Sequence, residues 1–215
     1  AGLPAANDVD ICAPADADAF SRLAADCGLE VNGVYRNTGT VNLTAGGAKI
    51  EFTSFRSDFY RGDGHAPARV TFTDDMETDA RRRDFRCNAV YCDLKTGEIC
   101  DPLNGRADIA ARRLTATREP VQVFSEDGLR LLRLARLSAQ LGFSPDGETL
   151  AGARASAKQI DTITAERIFA ELQLILHADG KYGVRYAHYE GLKLLDAIGV
   201  LERILPELTA GRGLA

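Results

Sequence analysis

Paired cysteines, lysine and long apolar runs are what this sequence has little of. Its five cysteines (Cys12, Cys27, Cys87, Cys92 and Cys100) are odd in number and form no CxxC motif. Its three histidines (His65, His177 and His188) are scattered, and none falls at metal-ligand spacing from a cysteine. A disulfide scaffold, a zinc site and a Cys–His nucleophile therefore find no support. A reduced, cytoplasmic protein with buried thiols is expected. No apolar run approaches the length needed to cross a bilayer and no signal peptide opens the sequence, so no membrane partner is expected. The net charge is -5, so any nucleic-acid partner needs a local basic surface. Of the 26 basic residues only five are lysine (Lys49, Lys95, Lys158, Lys181 and Lys193). The remainder are arginine, and many cluster between residues 81 and 136.

What is present suits a globular protein: 215 residues, 45% apolar and 27% charged, enough for one large or two small domains. Residues 8–12 read as a strand after a turn at Pro4–Asn7. Asp16 or Asp18 is placed to cap a helix through Cys27 that Gly28 ends. Residues 40–44 and 49–56 read as a hairpin turning at Ala45-Gly46-Gly47-Ala48. Residues 61–67 read as a mobile loop, and a second hairpin turns at Thr96-Gly97. From Glu119 the pattern becomes all-helical. Ser125 is expected to cap a helix to Leu141 closed by Gly142. Thr164 is expected to cap one to His177, another spans about Tyr182 to Ala197, and a short one precedes Pro206. The expected architecture is an α/β head, with a mixed sheet and flanking helices, over residues 1–118, followed by an all-α neck over 119–215.

Three constellations carry chemistry. Asp8 and Asp10 alternate with Val9 and Ile11 on a strand. Both carboxylates then share one face, about 7 Å apart at Cα, and can hold Mg²⁺ for displacement at phosphorus. Arg82 and Arg83 offer guanidinium forks for phosphates, with Asp84 as an acceptor for sugar hydroxyls. Downstream, Asp127 and Arg130 are i and i+3 on the expected 125–141 helix and hence neighbours. Arg133 and Arg136 extend that stripe into an excess of positive charge, while Leu131, Leu132, Leu134, Leu137 and Leu141 face the core. Glu166-Arg167 with Glu171 reads mainly as helix capping and packing support.

These pieces, in this order, resemble the class II nucleotidyltransferase family of tRNA CCA-adding enzymes, CC- and A-adding enzymes and bacterial poly(A) polymerases. Asp8-Val9-Asp10 resembles its metal-binding DxD. Arg82-Arg83-Asp84-Phe85 with Asn88-Ala89 resembles its RRDF-x-x-NA. Asp101-Pro102 with Gly105-Arg106 and Asp108 resembles DP-x-x-GR-x-D. Glu126-Asp127-x-x-Arg130, continued by Arg133 and Arg136, resembles the nucleotide-reading EDxxR. Glu166-Arg167-Ile168 is similar to a supporting motif, and Leu205-Pro206-Glu207-Leu208 to the end of the neck. The resemblance implies transfer of CMP and AMP from CTP and ATP to a tRNA 3′ end with release of pyrophosphate. It implies Mg²⁺ on Asp8 and Asp10 as catalytic carboxylates. It implies nucleotide binding by Arg83, Asp84, Asn88, Asp127, Arg130, Arg133 and Arg136.

The family's GGxVRD turn is not in the sequence, which is expected to be truncated at its N-terminus and to lack the body and tail beyond Ala215. His65 replaces an arginine of the mobile loop, which bears on completeness of the CCA product. A poly(A) polymerase or a partial-tail adder is the alternative within the class, and a non-catalytic nucleotide- or RNA-binding fragment the alternative outside it. Oligomeric state is not legible.

Overall fold

A computed structural model describes residues 8–60, 67–180, 182–209 and 211–213. The expected turn at Pro4–Asn7 and residues 61–66 of the expected loop, with His65, lie outside the described residues. The chain divides into two compact units: Ala1–Phe59 with Arg69–Arg82, and Tyr60–Ala68 with Arg83–Ala215. This division by packing falls before the expected boundary at residue 118, because residues 83–118 pack with the helices that follow.

In the first unit the order is β1 (Asp8–Ala13), α1 (Ala17–Asp26), β2 (Glu30–Tyr35), β3 (Thr40–Ala45), β4 (Ala48–Ser54), β5 (Arg56–Phe59), β6 (Arg69–Phe72) and α2 (Met76–Arg81). Strands β1–β4 form a mixed sheet in the order β1-β4-β3-β2, with β1 parallel to β4 and the others antiparallel. The β3–β4 hairpin turns on Gly46 and Gly47, whose φ values of 56° and 83° are open to glycine at no steric cost. Alternation sets Val41, Leu43 and Phe52 on one sheet face, buried against Ala17 and Ala24 of α1. The Phe20 ring of α1 stacks on Phe52 with centroids 3.8 Å apart. Of the two candidate caps, Asp16 fills the role, its Oδ1 accepting from the Ala19 N–H at 3.0 Å.

The second unit begins with a 3₁₀ turn (Arg86–Asn88) and continues through β7 (Tyr91–Cys92), β8 (Ile99–Cys100), α3 (Gly105–Ala110), β9 (Arg113–Leu114), α4 (Pro120–Glu126), α5 (Leu129–Leu141), β10 (Ser144–Pro145) and α6 (Gly147–Ala155). After a 3₁₀ segment (Ala157–Thr162) come α7 (Ala165–Leu176), α8 (Ala187–Ala197), α9 (Leu201–Ile204) and α10 (Pro206–Thr209). Helix α5 is the centre of this unit. Its Leu131, Leu132 and Leu134 are fully buried with Phe85, Phe124, Ile175 and Leu195.

Four local expectations are corrected. The helix expected at 125–141 is two helices: Glu119 caps α4 through the Val121 and Gln122 N–H groups, and Ser125 lies inside α4's last turn. Helix α8 starts at Ala187 rather than near Tyr182, because Gly180 and Gly183 hold left-handed conformations before it. Region 119–215 is helical as expected apart from the two-residue β10, which pairs in parallel with β9. The thiols are not buried: Cys27 and Cys92 are exposed and the other three half-buried, all five free. No helix among the described residues is long and apolar enough to cross a membrane.

Candidate active site

Among the described residues of the first unit, β1 lies at one edge of the sheet. Asp8 pairs with Lys49 and Asp10 with Glu51 in register, while Val9 and Ile11 pair with Ile50 and Phe52. Ile11 and Phe52 belong to the face packed on α1, so Asp8 and Asp10 share the opposite face, both exposed. Glu51 joins them there, a carboxylate the sequence reading passed over. Its alternation within β4 was legible; its register against Asp10 was not. One strand further in, Asn42 pairs with Glu51, and its Oδ1 is buried without a hydrogen-bond partner. Among the described residues no group of three His, Cys, Asp or Glu side chains is placed to hold a metal by itself.

Arg82 is engaged within the same unit. Its Nε donates to Asp79 Oδ1 at 2.8 Å, and Nη1 lies 3.8 Å from Asp58 Oδ2. Arg56 Nε lies 3.0 Å from Asp58 Oδ1, and the Arg56 N–H donates to Asp79. The four side chains are at most 16% exposed, a buried set of two arginines and two aspartates. Burial, then the Arg82 charge, lower the pKa of Arg56 against the pull of Asp58.

In the second unit the structure brings Arg83, Asp84, Asn88 and Arg133 together. Asp84 is 5% exposed. Its Oδ1 accepts from the Phe85 N–H at 2.8 Å and from Asn88 Nδ2 at 3.0 Å, and its Oδ2 accepts from Arg133 Nε at 2.7 Å. Arg83 donates to the Asn88 carbonyl at 3.2 Å and lies over the Tyr91 ring, 5.0 Å from its centroid. Burial alone would raise the Asp84 pKa. The Arg133 charge and the three hydrogen bonds outweigh it and hold the carboxyl below its usual range. Arg133 is raised in turn, chiefly by Asp84. Asp84 therefore orients Arg133 and Asn88.

Asp127 and Arg130 are not on one helix face. Asp127 has an extended backbone between α4 and α5, and the next residue, Gly128, runs so close to the Gln159 carbonyl oxygen that a Cβ there would lie 2.3 Å from it. Asp127 Oδ1 accepts from the Leu129 N–H at 3.0 Å and Oδ2 pairs with Arg167 of α7 at 2.9 Å. Arg130 Nη1 instead donates to Glu126 Oε2 and the Val123 carbonyl, both at 2.9 Å. Glu126 also takes both terminal nitrogens of Arg118. Arg136 Nε donates to Glu171 of α7 at 2.7 Å. The excess of positive charge expected along α5 is thus corrected: Arg130, Arg133 and Arg136 meet Glu126, Asp84 and Glu171, all three supplied from outside α5.

The DP-x-x-GR-x-D residues are architectural. The Asp101 carboxylate accepts from the Gly105 and Arg106 N–H groups at 2.7 and 2.9 Å and so caps α3. A Cβ on Gly105 would lie 2.1 Å from the Arg86 carbonyl oxygen, so glycine alone lets α3 approach the 3₁₀ turn beside Asn88. Asp108, 1% exposed, accepts from Arg113 at 2.6 Å.

Residues 3–115 match the family described as "Poly A polymerase head domain". The chain belongs to this family. Residues 142–211 of this head-family protein match a second, "Probable RNA and SrmB- binding site of polymerase A". It is 35% identical over 185 residues to the CCA-adding enzyme of Lactococcus lactis subsp. lactis (strain IL1403), covering 83% of this chain and 44% of that protein. It is 33% identical over 184 residues to the CCA-adding enzyme of Streptococcus uberis, covering 84% and 44%. The chain thus spans less than half the length of these relatives. Among solved structures it resembles the Bacillus stearothermophilus CCA-adding enzyme in complex with CTP, with a TM-score of 0.75, 29% identity and coverage of 90% and 44%. It also resembles a tRNA nucleotidyltransferase complexed with a primer tRNA and an incoming ATP analog, with a TM-score of 0.70, 25% identity and coverage of 92% and 54%.

Proposed function

We propose that this chain is the catalytic portion of a tRNA nucleotidyltransferase that adds CMP and AMP from CTP and ATP to a tRNA 3′ end. In this reading residues 1–118 act as the head and 119–215 as the base-reading neck. The observation that carries it is the bracing of Asp127 and Arg130 by different partners, Arg167 and Glu126. An acceptor and a donor that neutralised one another would have nothing to offer a base.

Cytosine presents an exocyclic amino donor beside the N3 acceptor, and adenine the same pair at N6 and N1. Uracil and guanine present a carbonyl beside a ring N–H. Asp127 only accepts and Arg130 only donates, so if the two meet one base edge, each from its own element, they suit C and A and oppose U and G. Each buried mismatch costs about 1–3 kcal/mol, enough for ~10²-fold discrimination. Asp84 acts behind this pair as a positioning residue, setting Arg133 and Asn88 toward the sugar and phosphates, with Arg83 beside them.

The residues of the β1 face fit Mg²⁺. Asp8, Asp10 and Glu51 are hard oxygen donors open to solvent, Asn42 Oδ1 is an unsatisfied oxygen beside them, and Mg²⁺ needs only one or two carboxylates plus water and phosphate oxygens. When bound, Mg²⁺ supplies charge neutralisation at the transferring phosphate and a lower pKa for the attacking 3′-hydroxyl. That hydroxyl attacks the α-phosphorus, its proton passes to solvent water, the new P–O bond forms and the bond to the β-phosphate breaks, and pyrophosphate leaves.

The test is Asp127→Ala and Arg130→Ala in the full-length protein, assayed with all four nucleoside triphosphates on tRNA ending before CCA. CTP and ATP use should fall together while UTP or GTP gains relative to them. Wild-type rates and selectivity in both variants would refute base reading. A second reading, AMP-only tailing, is favoured by both matched families carrying the name of polymerase A; incorporation of AMP without CMP in the same assay would establish it.

A further inference from the structure

Away from the nucleotide cluster, three tyrosines lie on the segment leading into α8 and on its first turn, all largely exposed: Tyr182 at 59%, Tyr186 at 70% and Tyr189 at 54%. Tyr186 is also in the left-handed region, at φ 56° and ψ 28°, where residues other than glycine are uncommon. Such a conformation persists only where its surroundings hold it. Here the holding contacts are visible. Asp179 Oδ1 accepts from the His188 backbone N–H at 3.1 Å and lies 2.8 Å from His188 Nδ1. The Gly180 N–H donates to the Val184 carbonyl at 3.2 Å. The loop is tied to the first turn of α8, and the stems of Tyr186 and Tyr189 are fixed with it.

The surroundings of these rings are charged. Arg185 is exposed beside Tyr186, and Lys193 Nζ, paired with Glu190 at 3.2 Å, lies 5.4 Å from the Tyr189 ring centroid one turn along. A planar ligand with an anionic backbone suits this surface, because every base offers a π face and each phosphate a partner for Arg185 or, in competition with Glu190, for Lys193. The segment also lies within residues 142–211, matched to the family described by RNA binding.

We propose that Tyr186 and Tyr189, flanked by Arg185 and Lys193, form a stacking platform for unpaired bases of a single-stranded RNA segment. The proposal rests on the RNA-substrate reading above and adds to it a site outside the nucleotide cluster. The test is titration of the full-length protein with a fluorescein-labelled single-stranded RNA of about 12 nucleotides, at several salt concentrations. Tyr186→Ala with Tyr189→Ala should bind at least about tenfold more weakly, and the double Phe variant within about twofold of wild type, since stacking needs the ring and not the hydroxyl. The salt slope should not change, because no cation is removed. Tyr186→Asn, which suits the left-handed backbone, separates loss of the ring from loss of loop geometry and should weaken binding like Ala.

Unchanged affinity in the alanine variant would overturn the proposal. So would equal losses in the Ala and Phe variants. Dissociation of an oligomer on sedimentation, with RNA affinity retained, would assign the patch to protein association instead. The transfer reading is judged separately: if Asp8→Ala abolishes transfer while the tyrosine variants bind RNA normally, only the platform falls.

Discussion

Asp84→Asn isolates the charge that holds the cluster of Arg83, Asp84, Asn88 and Arg133 together. The variant is nearly isosteric and can keep a carbonyl oxygen toward the Phe85 N–H and Asn88. Its amide nitrogen then faces Arg133 Nε, donor against donor, where the wild type has a 2.7 Å charged hydrogen bond. A hydrogen bond to a charged group is worth about 1.5–3 kcal/mol, and removing one partner of a fully buried pair costs about 3–5 kcal/mol. The Arg133 side chain is 35% exposed, so water recovers part of its solvation and the lower range applies. We expect a loss of about 1.5–3 kcal/mol at pH 7, read as a lower urea midpoint at constant slope. Asp84→Ala should lose about 1–3 kcal/mol more, because the Phe85 N–H is left without its acceptor.

The pH dependence has a definite sign. The folded-state pKa of Asp84 is depressed, so the unfolded chain takes up the proton first as pH falls. The stabilisation is complete above the unfolded value of about 4 and is lost as pH drops through the lower folded value. The stability gap between wild type and Asp84→Asn should be level from about pH 7 to 5 and narrow below about pH 4. Transfer assays should show a raised KM for CTP as Arg133 loses its anchor. A gap under about 0.5 kcal/mol at pH 7, or one that does not narrow in acid, would refute the role given to this carboxylate.

Asp8→Ala and Asp10→Ala should each abolish transfer while leaving the thermal melting profile intact, since both side chains are exposed; turnover by either would dismiss them as metal ligands. Arg167→Ala should lower CTP and ATP selectivity about tenfold by releasing Asp127, with Arg167→Lys recovering part of it; equal selectivity in all three proteins would make Arg167 a packing residue. Cys27 and Cys92 should react fast with a thiol reagent at pH 8, and Cys87 slowly, its thiol pushed up to about 11 by burial and then by Asp84; fast Cys87 labelling would contradict that environment.

Elements set by local chemistry were legible in the residues alone. The glycine pair at 46–47 marked its hairpin, Asp16 marked the start of α1, and the leucine spacing of α5 marked its buried face. Elements set by distant neighbours were not. The break between α4 and α5 at Asp127 is crossed by an unbroken apolar period, and the close approach of Gly128 to the Gln159 carbonyl, 31 residues downstream, is a tertiary contact no local pattern announces. Helix α6 escaped notice because its buried positions are Thr149, Gly152 and Ala153, which carry almost no hydrophobic signal. Glu51 required the register of β1 on β4, and the exposure of Cys27 and Cys92 required knowing what packs around them.

The arginine stripe shows the same limit at the site itself and alters what the site can bind. Read along the helix, Arg130, Arg133 and Arg136 are three cations awaiting phosphates. In the fold each already has a carboxylate, and a bare polyanion arriving there must compete with Glu126, Asp84 and Glu171 at 2.7–2.9 Å. Phosphate charge alone gains little from such an exchange. A nucleotide gains more, because its base and sugar present donors and acceptors that match fixed groups. With a net charge of -5 the chain as a whole repels nucleic acid. Under the proposed function, selectivity in this site would come from the orientation of compensated arginines rather than from their number. Removing a compensating acid should loosen discrimination before it strengthens binding.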